Sequence, residues 1–373
     1  MANDVRVEGS ATIYRLLDVG YAIALDRAAM LLGESTRGRA LPGGVDARAL
    51  EIRNPPLFVT LGTFPIAVRG TQHTAALSAH LFDFGVCSLR LRLQLPAGAR
   101  WPTLTEFTSG LEESTDPAVI FDRELETLLA RLAPCIERAA VAPLFEEYRV
   151  YRIDRLLGAD GGSVPPPVDI LTEAQLVSLL VGERRQLSPA ARRELVPYRF
   201  SYYEDDLAAL SWESALVVEP RPEDRDVEYV LEFANAQLLE LRVYDSQLDA
   251  ELPRLYDRVE AARRRARPRL SGRFRAVLSD LQTRVADVTE TVERVENALK
   301  VTNDVYLARV YAAALELFRE QAWRRGVERK LAILRETYVM LNSEAQAARA
   351  ELLEIAIVVL IVAELVLAIL RTP

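Results

Sequence analysis

"SLRLRLQLP", residues 88–96, decides the fold class of this chain. Leu89, Leu91, Leu93 and Leu95 fall on one side of an extended backbone, and Arg90, Arg92 and Gln94 fall on the other. That two-residue period is the pattern of a strand with one face on a core and the other in water. The neighbouring segments "PLFVTLGTFPIAVRG" (56–70) and "YRVYRID" (148–154) are further strands by their β-branched and aromatic content. "YAIALDRAAMLLG" (21–33) and "DRELETLLARLAPCIERA" (122–139) carry apolar residues at helical spacing.

Beyond the flexible stretch 158–169, "TEAQLVSLL" (172–180) is helical and "LAALSWESALVVEP" (207–220) is two strands joined by a turn. Gly161 and Gly162 do not make a phosphate loop, because no Lys-Ser or Lys-Thr follows at the required spacing. Strands and helices intermingled in this way make an α+β domain over residues 1–221.

From Val227 the texture changes. Leu238, Leu241, Leu248, Leu252, Leu255 and Val259 form one helical stripe that Asp245 interrupts. After an arginine-rich turn, Phe274, Leu278, Leu281, Val285, Val288, Val292, Val295 and Leu299 alternate steps of four and three, a heptad seam fit for self-association. A further series runs from Val327 through Leu331, Leu334 and Tyr338 to Val359, Val362, Val366 and Ile369 without changing register. The expected layout is the α+β domain, then long coiled-coil-like helices over 222–350, then a membrane helix over 351–373.

That last segment is apolar on every side from residue 352 to 370, about 28 Å of helix against a hydrocarbon core of roughly 30 Å. It is expected to cross the membrane once as a tail anchor. Glu364 stands in its middle, where an ionised carboxylate costs about 2.5 kcal/mol or more, and so marks a candidate intramembrane interaction.

Half of the 373 residues are hydrophobic and the net charge is −8, which argues against a chain that coats nucleic acid. The run Arg263, Arg264, Arg265, Arg267, Arg269, Arg273 and Arg275 is read as a solvated helix-hairpin turn rather than a lipid or RNA contact. Cys87 and Cys135 sit in apolar sequence and are expected to be buried thiols in a reducing compartment. The start of the chain lacks the basic flank and apolar run of a secretory signal, so the body is expected in the cytoplasm. For catalysis, the candidate groupings are Glu204, Asp205 and Asp206, or His73 with His80 and Asp83; neither has the spacing of a known metal site.

Three passages carry a family resemblance: "YYEDDLAALSWESALVVEP", "YVLEFANAQLLELRVYDSQLDAELPRLYD" and "YVMLNSEAQAARAELLEIAIVVLIVAEL". Together they resemble the family named "required for meiotic nuclear division", with "FDFGV" (82–86) matching in the first half. Its pattern includes a terminal Leu-Glu pair and a later glutamate, here Leu353-Glu354 and Glu364, with Ala356 where the family carries an aromatic residue. The resemblance implies an α/β domain, long helices and a hydrophobic end, with no catalytic residues to carry over and, for mitochondrial members, inner-membrane association and support of organellar translation. The function expected from residues and resemblance together is a membrane-anchored, non-catalytic, self-associating scaffold with no cofactor and an unidentified protein partner. The alternative is a metal-dependent hydrolase or nuclease-like enzyme in the first domain.

Overall fold

The computed structural model describes residues 5–33, 50–52, 54–158, 162, 164–183, 185–264, 279, 282–283, 286, 299–301 and 304–371. Among them are strands β1 (Arg6–Asp18), β2 (Ala22–Ile23), β3 (Leu50–Ile52), β4 (Leu57–Val68), β5 (Thr71–Leu81), β6 (Val86–Gln94) and β7 (Ala99–Arg100). They continue with β8 (Ile136–Glu137), β9 (Phe145–Leu157), β10 (Tyr198–Phe200), β11 (Leu207–Leu210), β12 (Ser214–Val218) and β13 (Leu299–Val301). The first seven helices are α1 (Leu25–Leu32), α2 (Trp101–Glu113), α3 (Asp116–Leu132), α4 (Pro167–Ile170), α5 (Glu173–Leu180), α6 (Pro189–Leu195) and α7 (Asp226–Arg264), followed by helices Val305–Leu317 and Glu320–Arg371.

The fold is α+β around one nine-stranded sheet, in the order β10-β11-β12-β9-β1-β6-β5-β4 with β7 also on β1. All its pairings are antiparallel except β12 with β9. The strand quoted first is β6, and its leucines do face a core. Leu91 lies between Leu77 of β5 and Ile13 of β1, and all three are buried. Helices α2, α3 and α5 cover this face with Trp101, Leu104, Phe107, Phe121, Leu128 and Leu176. α5 is fixed at its start by a capping box, in which Thr172 and Gln175 satisfy each other's backbone N–H.

The opposite face departs from expectation. Arg90 and Arg92 do not point into water, because α7 lies across them. From Glu228 to Leu241 every residue of α7 is buried, so this stretch is a central helix rather than one with a wet side. Its far side meets the Val305–Leu317 helix, where the Tyr311 hydroxyl donates to Gln237 Oε1 at 2.5 Å. Asp304 starts that helix by accepting from Tyr306 N and Leu307 N at 2.8 and 3.1 Å.

The chain divides into two compact units, Met1–Val243 with Glu293–Gln321, and Tyr244–Val292 with Ala322–Pro373. The first turns of α7 fall in the same unit as the sheet, against which they are buried. In the second unit, Lys330 Nζ binds Asp245 Oδ1 at 2.7 Å and Asp249 Oδ1 at 2.6 Å. Gly326 keeps the approach to Asp245 open, since a Cβ there would stand 3.1 Å from its Oδ1. Val327, Leu331 and Leu334 of the expected apolar series are buried, together with Leu248.

Most of the heptad seam, Phe274, Leu278, Leu281, Val285, Val288, Val292 and Val295, lies outside the described residues, as do the arginines from Arg265 to Arg275. Its final member, Leu299, is not helical: it sits in β13, opposite Ile52 of β3. The Glu320–Arg371 helix runs unbroken into the apolar stretch. Among the described residues no helix is long and apolar enough to cross a membrane. The side chains of 352, 365, 366 and 368–371 lie outside the described set, so the full nineteen-residue run is a property of the sequence.

Candidate functional site

The feature that sets this fold apart is the charged layer between the sheet and α7. Register places Ser88, Arg90 and Arg92 of β6 beside Leu16, Tyr14 and Thr12 of β1 on the α7 side. α7 answers with Glu228, Glu232 and Asn235, at steps of four and three, all buried. Strand and helix thus present complementary charge in a region largely closed to solvent.

Arg152 of β9 is the first anchor of this layer and is 1% exposed. Its Nε donates to Asp154 Oδ1 at 2.6 Å, and its Nη1 to Glu228 Oε2 at 3.1 Å and the Asp224 carbonyl at 2.7 Å. Nη2 donates to the carbonyls of Glu219 and Arg221 at 3.1 and 2.7 Å. One guanidinium therefore ties the strand to the whole 219–228 approach to α7. Arg225 also donates to Glu228, at 2.9 Å.

His80 of β5 is the second anchor. Glu232 Oε2 is 2.8 Å from His80 Nδ1, and Arg90 Nη1 is 2.9 Å from His80 Nε2. Arginine can only donate, so Nε2 must accept and the proton sits on Nδ1, where it is donated to Glu232. The imidazole is neutral. Burial lowers its pKa and Arg90 reinforces that, outweighing the pull of Glu232. Burial penalises the Glu232 carboxylate too, but the surrounding His80, Arg90 and Ser88 overcome it and hold the carboxyl below its usual range.

Ser88, His80 and Glu232 are the residue types of a nucleophilic triad, yet Arg90 occupies the nitrogen that would activate the serine. His80 and Glu232 are also only 5% and 3% exposed. The layer is an internal clamp.

His73 and His80 are seven residues apart on β5 and so lie on opposite faces; His73 packs edge-on to Phe107 of α2 at 5.1 Å. Asp83 accepts from Asn54 Nδ2 at 2.6 Å. His73, His80 and Asp83 therefore do not converge. Glu204 and Asp205 are exposed, while Asp206 is buried and accepts from Tyr202 N at 2.8 Å, closing a turn. Among the described residues no group of three His, Cys, Asp or Glu could hold a metal ion. Cys87 and Cys135 are free and buried, and burial pushes the Cys87 thiol up to about 12. Glu364 is exposed on the Glu320–Arg371 helix.

The residues that sequence reasoning missed are Arg152, Glu228, Glu232 and Asn235. A signal was present in "YVLEFANAQLLELRVYD", where acids recur at helical spacing inside otherwise apolar sequence. Such a stripe needs buried cations opposite it, and Arg90, Arg92 and Arg152 are on strands.

Comparison with known proteins matches this sheet. A family model described as "Uncharacterized protein MJ0711, N-terminal domain" matches residues 8–225, more than half the chain, and stops at the start of α7. The protein named "Uncharacterized protein MJ0711" from Methanocaldococcus jannaschii is 25% identical over 195 residues, covering 52% of this chain and 58% of that relative. The chain thus spans well under two thirds of the relative's length. No solved structure matches. By its sheet domain, the chain belongs to the family of the MJ0711 N-terminal domain.

Proposed function

We propose that the protein is a membrane-anchored, non-catalytic scaffold, in which the clamped sheet domain is carried on long helices that self-associate. One observation supports this reading above others. Ile357, Val358, Val359, Leu360, Ile361 and Val362 are consecutive on the Glu320–Arg371 helix, and each is more than half exposed. Consecutive helical residues lie about 100° apart, so four of them already look in every direction. A partner helix covers a single stripe; a lipid phase covers all sides. The sequence resemblance to the "required for meiotic nuclear division" family is a further motive for the proposal, since that family joins a folded domain to long helices and a hydrophobic end.

Self-association is assigned to the seam from Phe274 to Val295, without Leu299. The inward-turned charges of the sheet domain favour this reading over the metal-dependent enzyme, since the sheet's polar residues are spent on holding α7. Flotation with liposomes tests the anchor: full-length protein is expected to float and a chain ending at residue 351 to stay at the bottom with its far-UV spectrum intact. Full-length protein that stays at the bottom overturns the reading.

A further inference from the structure

We propose that the layer between the sheet and α7 is a binding site for internal water, held between the Glu232 carboxylate, the Arg90 guanidinium and the hydroxyls of Ser88, Tyr14 and Tyr229. Five side-chain atoms there are shut off from solvent and have no hydrogen-bond partner among the described residues: Glu232 Oε1, Arg90 Nε, Ser88 Oγ and the hydroxyl oxygens of Tyr14 and Tyr229. They gather around His80. Ser88 lies opposite it on β6, the Tyr229 ring centroid is 6.4 Å from that of the imidazole, and Arg90 and Glu232 bond its two nitrogens. Tyr14 lies opposite Arg90 on β1, with the guanidinium carbon 5.3 Å from its ring centroid.

Each of the two ions spends one atom on the imidazole and has another left over. Arg90 gives Nη1 to His80 and keeps Nε; Glu232 takes the His80 proton on Oε2 and keeps Oε1. A buried charge persists only where its remaining donors and lone pairs are also bonded. Ser88 stands close enough to Glu232 to help hold its carboxylate ionised, yet is outside hydrogen-bond geometry with it. Polar groups that face each other across such a gap are the usual setting for a bridging molecule.

The chemistry of these atoms selects that molecule. Arg90 Nε can only donate, ionised Glu232 Oε1 can only accept, and the three hydroxyls do either, so the ligand must both accept and donate. An anion would face Glu232, and a metal ion or an ammonium group would face Arg90. Size is limited too, because every residue of α7 from Glu228 to Leu241 is buried. Water meets all of these conditions. At the Arg152 end of the same layer, Asp206, Asp224, Glu228 and Tyr306 help to line a cavity of about 10 Å³, close to the smallest that admits one water, so the packing of α7 on the sheet leaves room on that scale. This assignment concerns the first unit alone and does not depend on membrane anchoring.

The test uses the full chain in detergent, by crystallography and by oxygen-17 magnetic relaxation dispersion, which counts long-lived internal waters. An ordered water is expected about 2.6–3.2 Å from Glu232 Oε1 and from at least one of the three hydroxyls. Ser88→Val, which removes a hydroxyl and fills its space, and Tyr229→Phe, which removes one without filling, are each expected to lower the dispersion amplitude by at least one water. A crystal structure in which Glu232 Oε1 bonds directly to Ser88 or Tyr229 with no water between them, or an amplitude equal to the parent's in both variants, overturns the proposal.

Discussion

Arg152→Met is the sharpest probe of the buried charged layer. Methionine keeps much of the aliphatic length of arginine, so the change removes the guanidinium and leaves little void. Five hydrogen bonds disappear, two to carboxylates and three to backbone carbonyls. Removing one partner of a buried ion pair costs about 3–5 kcal/mol, chiefly because the other charge stays behind. Glu228 retains Arg225 at 2.9 Å, and the 219–225 segment has exposed residues through which water can reach the carbonyls, so the lower end applies. The expected loss is about 3 kcal/mol in urea unfolding followed by near-UV circular dichroism, with an unchanged m-value. Glu228→Gln is expected to cost less in the Arg152→Met background than in the parent, because the Arg152–Glu228 pair it would break is already gone. A loss under about 1 kcal/mol, or an additive double variant, would refute the argument that one guanidinium holds α7 to the sheet.

Other expectations follow from single residues. His80 has a depressed folded pKa, so its contribution is complete above the ordinary value of about 6.5 and is lost as acid protonates the unfolded chain first; His80→Gln is expected to flatten unfolding free energy against pH below that point. Asp18 acts in the opposite sense: burial raises its carboxyl from 3.8 to about 6, which makes the ionised form a cost above that pH. Asp18→Asn, which keeps an acceptor for Gly20 N, is expected to stabilise the protein by about 1–2 kcal/mol at pH 7 and by nothing at pH 3.5, as thermal melts at the two pH values will show. Gly9→Ala is expected to cost more than about 3 kcal/mol, since a Cβ there would lie 2.0 Å from the Arg152 carbonyl oxygen at the β1–β9 bulge; a folded variant with a parental melting temperature contradicts this. Val285→Asp with Val288→Asp is expected to lower the mass in light scattering, and an unchanged mass rejects the seam as the oligomer contact.

Sequence pattern was informative where a face is uniform and poor where charge is buried. β4, β6, β9, β11 and β12 were readable from alternation or β-branched runs, as were α1, α3, α5 and the start of α7. β1, the strand at the middle of the sheet, was not, because Ser10, Thr12, Tyr14 and Arg15 are interspersed with its apolar residues and all are buried. β5 was missed for a related reason: in "TQHTAALSAHL" only the two threonines favour a strand, among alanine, histidine, serine and glutamine, and there is no clean apolar alternation. The arginines of β6 looked solvated because alternation reports only that one face is polar, and the cover over that face is 138 residues further along, from Arg90 to Glu228. Leu299 kept heptad spacing while pairing as a strand, since three- and four-residue steps among valines and leucines do not separate a helix end from a short strand.

The central claim is that the apolar stretch of the Glu320–Arg371 helix is clothed by lipid. A nitroxide placed in turn at each position from 355 to 362, in full-length protein with liposomes, tests it by relaxation with oxygen and with a water-soluble nickel complex. High oxygen and low nickel accessibility are expected at all of these positions, with no helical period, because lipid surrounds every side. High nickel accessibility throughout, or an oscillation every 3.6 residues from protein covering one face, would contradict it.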